Sequence, residues 1–263
     1  MGEAATTPSP AFFQRYGISR TGDPAHPLEI APYPHVCRHG LLRATVIASA
    51  IDIAGSLNAR SAAGADPTTT IDLSLRVPAR ELPQRITTTS EILRSGRSLV
   101  TTGLRFEADG ATFAYGQTSF MRVAARDPQA PPPPGMPEVI EPVPLERPLV
   151  DEVGIETVDA SRGHIELVLR ERLMNGSGTM QGALVALLCE SAAEVLAEHT
   201  HGGAQTVCEL DLRYLAAARV GPVASQAQWV GDAASGMMQV ELRDLGNEGR
   251  LTGAALLRTR AVG

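Results

Sequence analysis

Asn175-Gly-Ser-Gly-Thr-Met-Gln-Gly-Ala-Leu-Val-Ala-Leu-Leu-Cys-Glu190 decides the fold, because the chain carries it twice. About 138 residues earlier runs Cys37-Arg-His-Gly-Leu-Leu-Arg-Ala-Thr-Val-Ile-Ala-Ser-Ala-Ile-Asp52, so that Gly40 matches Gly178 and Asp52 matches Glu190. In both copies a glycine-containing loop feeds an apolar segment that holds one acid. The spacing of Leu184, Leu187, Leu188, Ala192 and Leu196 predicts a helix from Met180 to His199, and Ala44, Ile47, Ala48, Ile51 and Gly55 repeat it in the first copy. An alternating strand follows each helix, Ile71-Asp-Leu-Ser-Leu-Arg-Val77 and Cys208-Glu-Leu-Asp-Leu-Arg-Tyr214, with the register drifting by one residue. Leu104-Arg105 then matches Leu242-Arg243, and the copies finish near Arg122 and Arg260. A repeat this long is a duplicated domain, which predicts a pseudo-twofold pair.

Working outward, Leu28-Glu-Ile30 and Ile165-Glu-Leu-Val-Leu-Arg170 read as strands ahead of the two helices. The runs Ile86–Ile92, Leu99–Phe106 and Ala111–Phe120 read as an antiparallel sheet, with Ala108-Asp-Gly110 and Gly246-Asn-Glu-Gly249 as hairpin turns. Successive strands without intervening helices exclude a doubly wound parallel fold and predict α+β, one sheet wrapped on one long helix per copy. Nine prolines between Arg126 and Pro148 deny the backbone donors that a helix or central strand requires, so that stretch is expected to be a linker. In polyproline form, at about 3.1 Å per residue, roughly twenty residues reach ~60 Å, enough to let the copies pack side by side. The expected division is a disordered tail over 1–11, a first domain over 12–125, the linker over 126–148 and a second domain over 149–263.

The chain is 43% hydrophobic and 20% charged, and its longest apolar stretch is too short to span a bilayer, so no membrane span is expected. A formal charge of -6 without a concentrated basic face argues against nucleic acid as a partner. Three cysteines without paired spacing suit a reducing cytoplasm, and the first residues lack the basic-then-apolar pattern of an export signal. His199 and His201 have no third ligand at metal-binding spacing, so no metal is expected. The glycines at 176, 178 and 182 miss dinucleotide-site spacing by one residue, and no Gly-x-Ser-x-Gly elbow is present.

A carboxylate in mid-helix among apolar neighbours is costly unless it finds partners or raises its pKa, which singles out Asp52 and Glu190. Nine residues ahead of Glu190, a helix start with glycines at 178 and 182 exposes backbone N–H groups at the positive end of a dipole. A polarised carbonyl can dock there; a loop that simply needs glycine to turn reads the same way.

Together these residues resemble the hotdog-fold thioesterases, in particular the phenylacetate-pathway type. Its helix start reads approximately Asn-x-x-Gly-x-x-His-Gly-Gly, followed by an Asp or Glu within the helix. Asn175, Gly178, Gln181, Gly182 and Glu190 fall at matching spacings, with Gln181 in place of His and Ala183 in place of the second glycine. In the first copy the same columns hold Cys37, Gly40, Arg43, Ala44 and Asp52. The resemblance implies a tandem double hotdog packed as a pseudo-dimer, with the prospect of further homo-oligomerisation. It implies acyl-CoA or a related acyl thioester as substrate, and no cofactor beyond the coenzyme A of the substrate itself. Each implied site takes its N–H donor from one half and its carboxylate from the other. One joins Asp52 to Asn175, Gln181 and Gly182, with Ser56 and Thr70 as supporting hydroxyls; the other joins Glu190 to Gly40, Arg43 and Ala44. The Gly182 N–H would polarise the thioester carbonyl, Asn175 or Gln181 would orient water, and Asp52 would act as general base or nucleophile. A non-catalytic acyl-binding double hotdog and a hotdog hydratase or dehydratase stand as alternatives, although neither helix supplies the histidine that a hydratase requires beside its acid.

Overall fold

The computed structural model describes residues 12–64, 67–79, 81–123 and 142–263. The expected tail and most of the expected linker lie outside the described residues. In the first half, β1 (Ile18–Arg20) and β2 (Leu28–Ile30) lead to a two-rung hairpin, β3 (Cys37–Arg38) and β4 (Leu41–Leu42). Helix α1 (Ala44–Ala63) follows, then β5 (Thr68–Arg76), β6 (Ile86–Ser95), β7 (Leu99–Ala108) and β8 (Ala111–Arg122). The second half opens with a short helix α2 (Leu149–Val153), β9 (Ile155–Asp159) and β10 (His164–Leu167). Helix α3 (Gly182–His201), β11 (Gln205–Tyr214), β12 (Val223–Trp229), β13 (Met237–Asp244) and β14 (Arg250–Ala261) complete it.

The strand order is β1-β2-β6-β7-β8-β5-β11-β14-β13-β12-β10-β9, which reads the same from both ends once each strand is exchanged for its repeat partner. A pseudo-twofold axis therefore passes between β5 and β11, which pair antiparallel from Glu209↔Arg76 to Arg213↔Asp72. Two curled halves were expected; they join edge to edge into one twelve-stranded antiparallel sheet, and neither central strand is left as an open edge. The architecture is α+β, a tandem double hotdog.

Both central strands bulge, at Ile71 opposite β8 and at Cys208 opposite β14, and these bulges lie 137 residues apart. The helix starts, Ala44 and Gly182, and the residues that end the helices, Gly64 and Gly202, lie 138 apart. The one-residue drift read in the sequence thus arises between the helix ends and the bulges.

Each long helix is buried on almost every side through its first three turns, with the concave sheet on one side and the other helix on the other. Ile47, Ile51, Leu184, Leu187 and Leu188 are fully enclosed. The sheet bares its backbone where a helix presses closest: a Cβ at Gly116 would collide with Ile51. The helices run antiparallel, since Ala44 and Thr45 meet Glu190 while Asp52 approaches Gly182. Ala48 and Ala186 lie buried midway, small enough for the backbones to close up. Several expected boundaries move. Helix α3 begins at Gly182 rather than Met180, because Gln181 holds the extended conformation of an N-cap (φ -63°, ψ 139°). Strand β10 stops at Leu167, paired with Val223, beyond which Pro222 has no N–H to continue the ladder.

Candidate active site

The two helix starts have the same backbone geometry, and their chemistry differs at the acid that faces each of them. Arg43 caps α1 at φ -62°, ψ 139°, within a degree of Gln181 on α3. The N–H of Arg43 donates to Val36 O and that of Gln181 to Leu173 O, so each cap anchors its loop in the same way. In the first half the next two N–H groups, on Ala44 and Thr45, donate to the acid of the opposite helix, and their counterparts in the second half are those of Gly182 and Ala183.

At α1, Glu190 fills the position. Its Oε1 accepts from Ala44 N–H at 2.7 Å and its Oε2 from Thr45 N–H at 3.1 Å. Arg43 lies over it, 3.8 Å from Glu190 Oε2 and 3.1 Å from Glu194 Oε2. Arg38 reaches Glu194 at 3.3 Å and Glu198 at 2.5 Å, and His39 meets Glu198 at 2.7 Å. Burial and the Glu194 charge push the Glu190 carboxyl above its ordinary value, against the pull of Arg43 and the two backbone donors. Ion pairs this deep carry a desolvation penalty that their attraction repays only with such dense hydrogen bonding.

At α3 the acid is Asp52, one methylene shorter, and it does not reach the helix start. No acceptor among the described residues meets the Gly182 and Ala183 N–H groups. Instead a cavity of about 420 Å³ opens there, lined by Asp52 and Thr70 from the first half and Asn175, Gly182, Val185 and Tyr214 from the second, among others. Asp52 Oδ2 lies 3.9 Å from the point a Gly182 Cβ would occupy, so a side chain at 182 would intrude between carboxylate and helix start. Thr70 Oγ1 donates to Asp52 Oδ1 at 2.7 Å, beside the Ile71 bulge that breaks the strand's alternation. Burial raises the Asp52 carboxyl from its ordinary value and the Thr70 hydrogen bond lowers it again in part. Among the described residues the lining carries no basic side chain, and Asp52 is its only acid.

Such a constellation can polarise a carbonyl and activate water. Two adjacent N–H groups at the positive end of a twenty-residue helix can hold a developing oxyanion, each donor supplying about 2.7–4 kcal/mol in a transition state. A carboxylate within the same cavity can take a proton from water or attack directly.

Asp52, Thr70, Asn175 and Gly182, which the resemblance pairs, line one cavity. Asn175 lines the cavity, and its Oδ1 accepts from Ser177 N–H at 2.9 Å and Thr179 N–H at 3.3 Å, which holds the loop. Gln181 turns away, donating to Met174 O at 3.2 Å, and does not line the cavity. Ser56 donates back to Ile53 O at 2.8 Å, the local bond a helical serine makes most easily, and is likewise absent from the lining. Gly40, with φ 77°, makes the β3–β4 turn beside His39 (φ 51°), while Arg43 and Ala44 are sealed against Glu194 and Glu190 rather than open to a ligand. Tyr214 is the residue that sequence reasoning passed over: its ring lies 3.7 Å from the Gly182 Cβ position and its hydroxyl is 3.4 Å from Gly182 O. It replaces Val77 of the other copy in a chain with only 4% aromatics, and that mismatch was its signal.

No protein-family model and no curated protein matches the chain. Solved structures do. An acyl-ACP thioesterase from Bacteroides thetaiotaomicron VPI-5482 superposes with a TM-score of 0.62 at 12% identity, over 94% of this chain and 99% of that one. A conserved protein of unknown function with hot dog fold from Alicyclobacillus acidocaldarius gives 0.58 at 12% identity, over 95% and 97%. The 12:0-ACP thioesterase from Umbellularia californica gives 0.58 at 11% identity, over 89% and 96%. At these identities the likeness is one of fold, and it extends through both halves.

Proposed function

We propose that this chain hydrolyses acyl thioesters, acyl-CoA first among them, at the cavity between Asp52 and the start of α3. One observation carries the proposal: a half-enclosed carboxylate of one half lies across a cavity of about 420 Å³ from the helix start of the other, whose Gly182 and Ala183 N–H groups meet no acceptor among the described residues. The names of the similar structures, acyl-ACP thioesterases, support the substrate class, and the Asn175, Gly178 and Gly182 spacing supports a likeness to the phenylacetate-pathway type.

The thioester carbonyl oxygen sits on the Gly182 and Ala183 N–H groups. Asp52, held by Thr70, removes a proton from water as its oxygen adds to the carbonyl carbon; alternatively the carboxylate attacks and water hydrolyses the resulting anhydride. The C–S bond breaks and the thiolate takes the proton. General-base assistance contributes typically 10²- to 10⁴-fold and each oxyanion donor about 10²- to 10³-fold, enough for an activated ester of this kind. The same reading makes 12–125 and 149–263 the two hotdog domains of an intramolecular pseudo-dimer tied by 126–148. It sets the chain in a reducing cytoplasm, in keeping with free Cys37, Cys189 and Cys208.

The test is thiol release from short, long and aromatic acyl-CoAs. Turnover that Asp52→Asn abolishes and Glu190→Gln spares is the expected result. Hydrolysis surviving Asp52→Asn refutes the mechanism, and thermal protection by acyl-CoA without any turnover selects a binding protein instead.

A further inference from the structure

We infer that the open site also binds a free carboxylic acid in the pose that Glu190 adopts in the closed one, and that the chain is thereby inhibited by its own acid product. The pseudo-twofold axis supplies the template. On α1 a carboxylate spans two successive helix N–H groups, one oxygen on Ala44 and the other on Thr45, at 2.7 and 3.1 Å. On α3 the corresponding Gly182 and Ala183 groups start from an N-cap of the same dihedral angles, and Gly182 lines a cavity instead of meeting an acid. What Glu190 does from within the chain, a carboxylate in the cavity does from outside, with its alkyl or aryl part among Val185, Met180 and Ile71.

The pose rests on geometry alone; that the acid is the product rests on the hydrolysis proposed above. In that reaction water adds its oxygen to the acyl carbon and the C–S bond breaks. One of water's protons passes through Asp52 to sulfur and the other stays with the acid, so acid and Asp52 enter the product state with one proton between two carboxyl groups. Facing Asp52 are Thr70 from β5, Tyr214 from β11 and the α3 start, with Cys189 of α3 behind Tyr214. None of these is a cation. Without that shared proton two negative charges meet, and raising the pH therefore expels the acid.

The test follows backbone amide resonances of the full chain during titration with hexanoate, using hexanamide as the neutral control. Saturable shifts of Gly182 and Ala183 are expected with hexanoate, weakening as pH rises, while Ala44 and Thr45, already occupied by Glu190, stay still and report an intact fold. Asp52→Asn removes the like charge and is expected to bind hexanoate about tenfold more tightly at neutral pH. Hexanoate that leaves Gly182 and Ala183 unmoved, or that binds Asp52→Asn no better, overturns the inference. Thioester turnover by Asp52→Asn alongside the expected hexanoate binding overturns only the hydrolytic role of Asp52.

Discussion

Thr70→Val removes the one side-chain hydrogen bond that Asp52 accepts among the described residues and leaves the shape of the site almost unchanged. The fold accepts the change, because Val207 holds the corresponding place one residue before the Cys208 bulge. The lost bond, 2.7 Å between Thr70 Oγ1 and Asp52 Oδ1, stabilises the ionised carboxylate. Hydrogen bonds to charged groups contribute about 1.5–3 kcal/mol, and about 1.36 kcal/mol corresponds to one pKa unit. Asp52 is partly open to the cavity, which favours the low end, so the ionised form should lose about 1.5 kcal/mol and its pKa should rise. In the proposed mechanism Asp52 must be ionised to act, so the acidic limb of kcat/KM moves to higher pH while the plateau above it changes little. Thiol release measured across pH gives the profile, and Thr70→Ser should return the limb to its place. A limb that stays put, or moves to lower pH, refutes the coupling. A collapsed plateau with a fixed limb would mean that Thr70 touches substrate rather than serving Asp52.

Gly182→Ala places a methyl 3.7 Å from the Tyr214 ring and 3.9 Å from Asp52 Oδ2, ordinary contacts that leave the fold intact. Unfolding free energy should hold or rise slightly, since alanine is the better helix former, while kcat/KM falls roughly ten- to a hundredfold as the carbonyl is displaced. Glu190→Ala strips two backbone donors and Arg43 of a partner in a sealed site, and urea unfolding should register a loss of about 3–5 kcal/mol with turnover per folded chain preserved. Because burial holds Glu190 and Glu194 above the ordinary glutamate value, the folded state binds more protons than the unfolded one over that range. Their contribution to stability is therefore fully present below the ordinary value and declines as pH rises through the raised folded values. Urea midpoints across pH should show that decline flattened in Glu190→Ala.

Much of the candidate site was legible because duplication supplies an internal comparison. Asp52 and Glu190 stood out as acids in apolar helices, and the glycine loop ahead of α3 marked the donors. Their pairing across the halves followed from the resemblance to a shared-site fold. What the residues could not disclose is reach. Asp and Glu differ by one methylene, and only the packed distance between helices decides that Glu190 plugs its helix start whereas Asp52 leaves a cavity. Arg43 looked like a ligand-facing cation because its partner Glu194 lies 151 residues away in sequence. Ser56 and Gln181 carry the right chemistry, yet local backbone acceptors, Ile53 O and Met174 O, claim their side chains first. Tyr214 went unremarked because a strand-terminal aromatic reads as core until the bulge and the helix start are seen to meet beside it.

Binding stoichiometry tests the central claim, one open site and one plugged by Glu190. A non-hydrolysable 2-oxoalkyl thioether of coenzyme A, titrated calorimetrically into the full chain, should saturate at one molecule per chain, and Gly182→Ala should weaken that binding while Glu190→Gln spares it. Saturation at two per chain, or binding that Glu190→Gln weakens and Gly182→Ala leaves untouched, would contradict it.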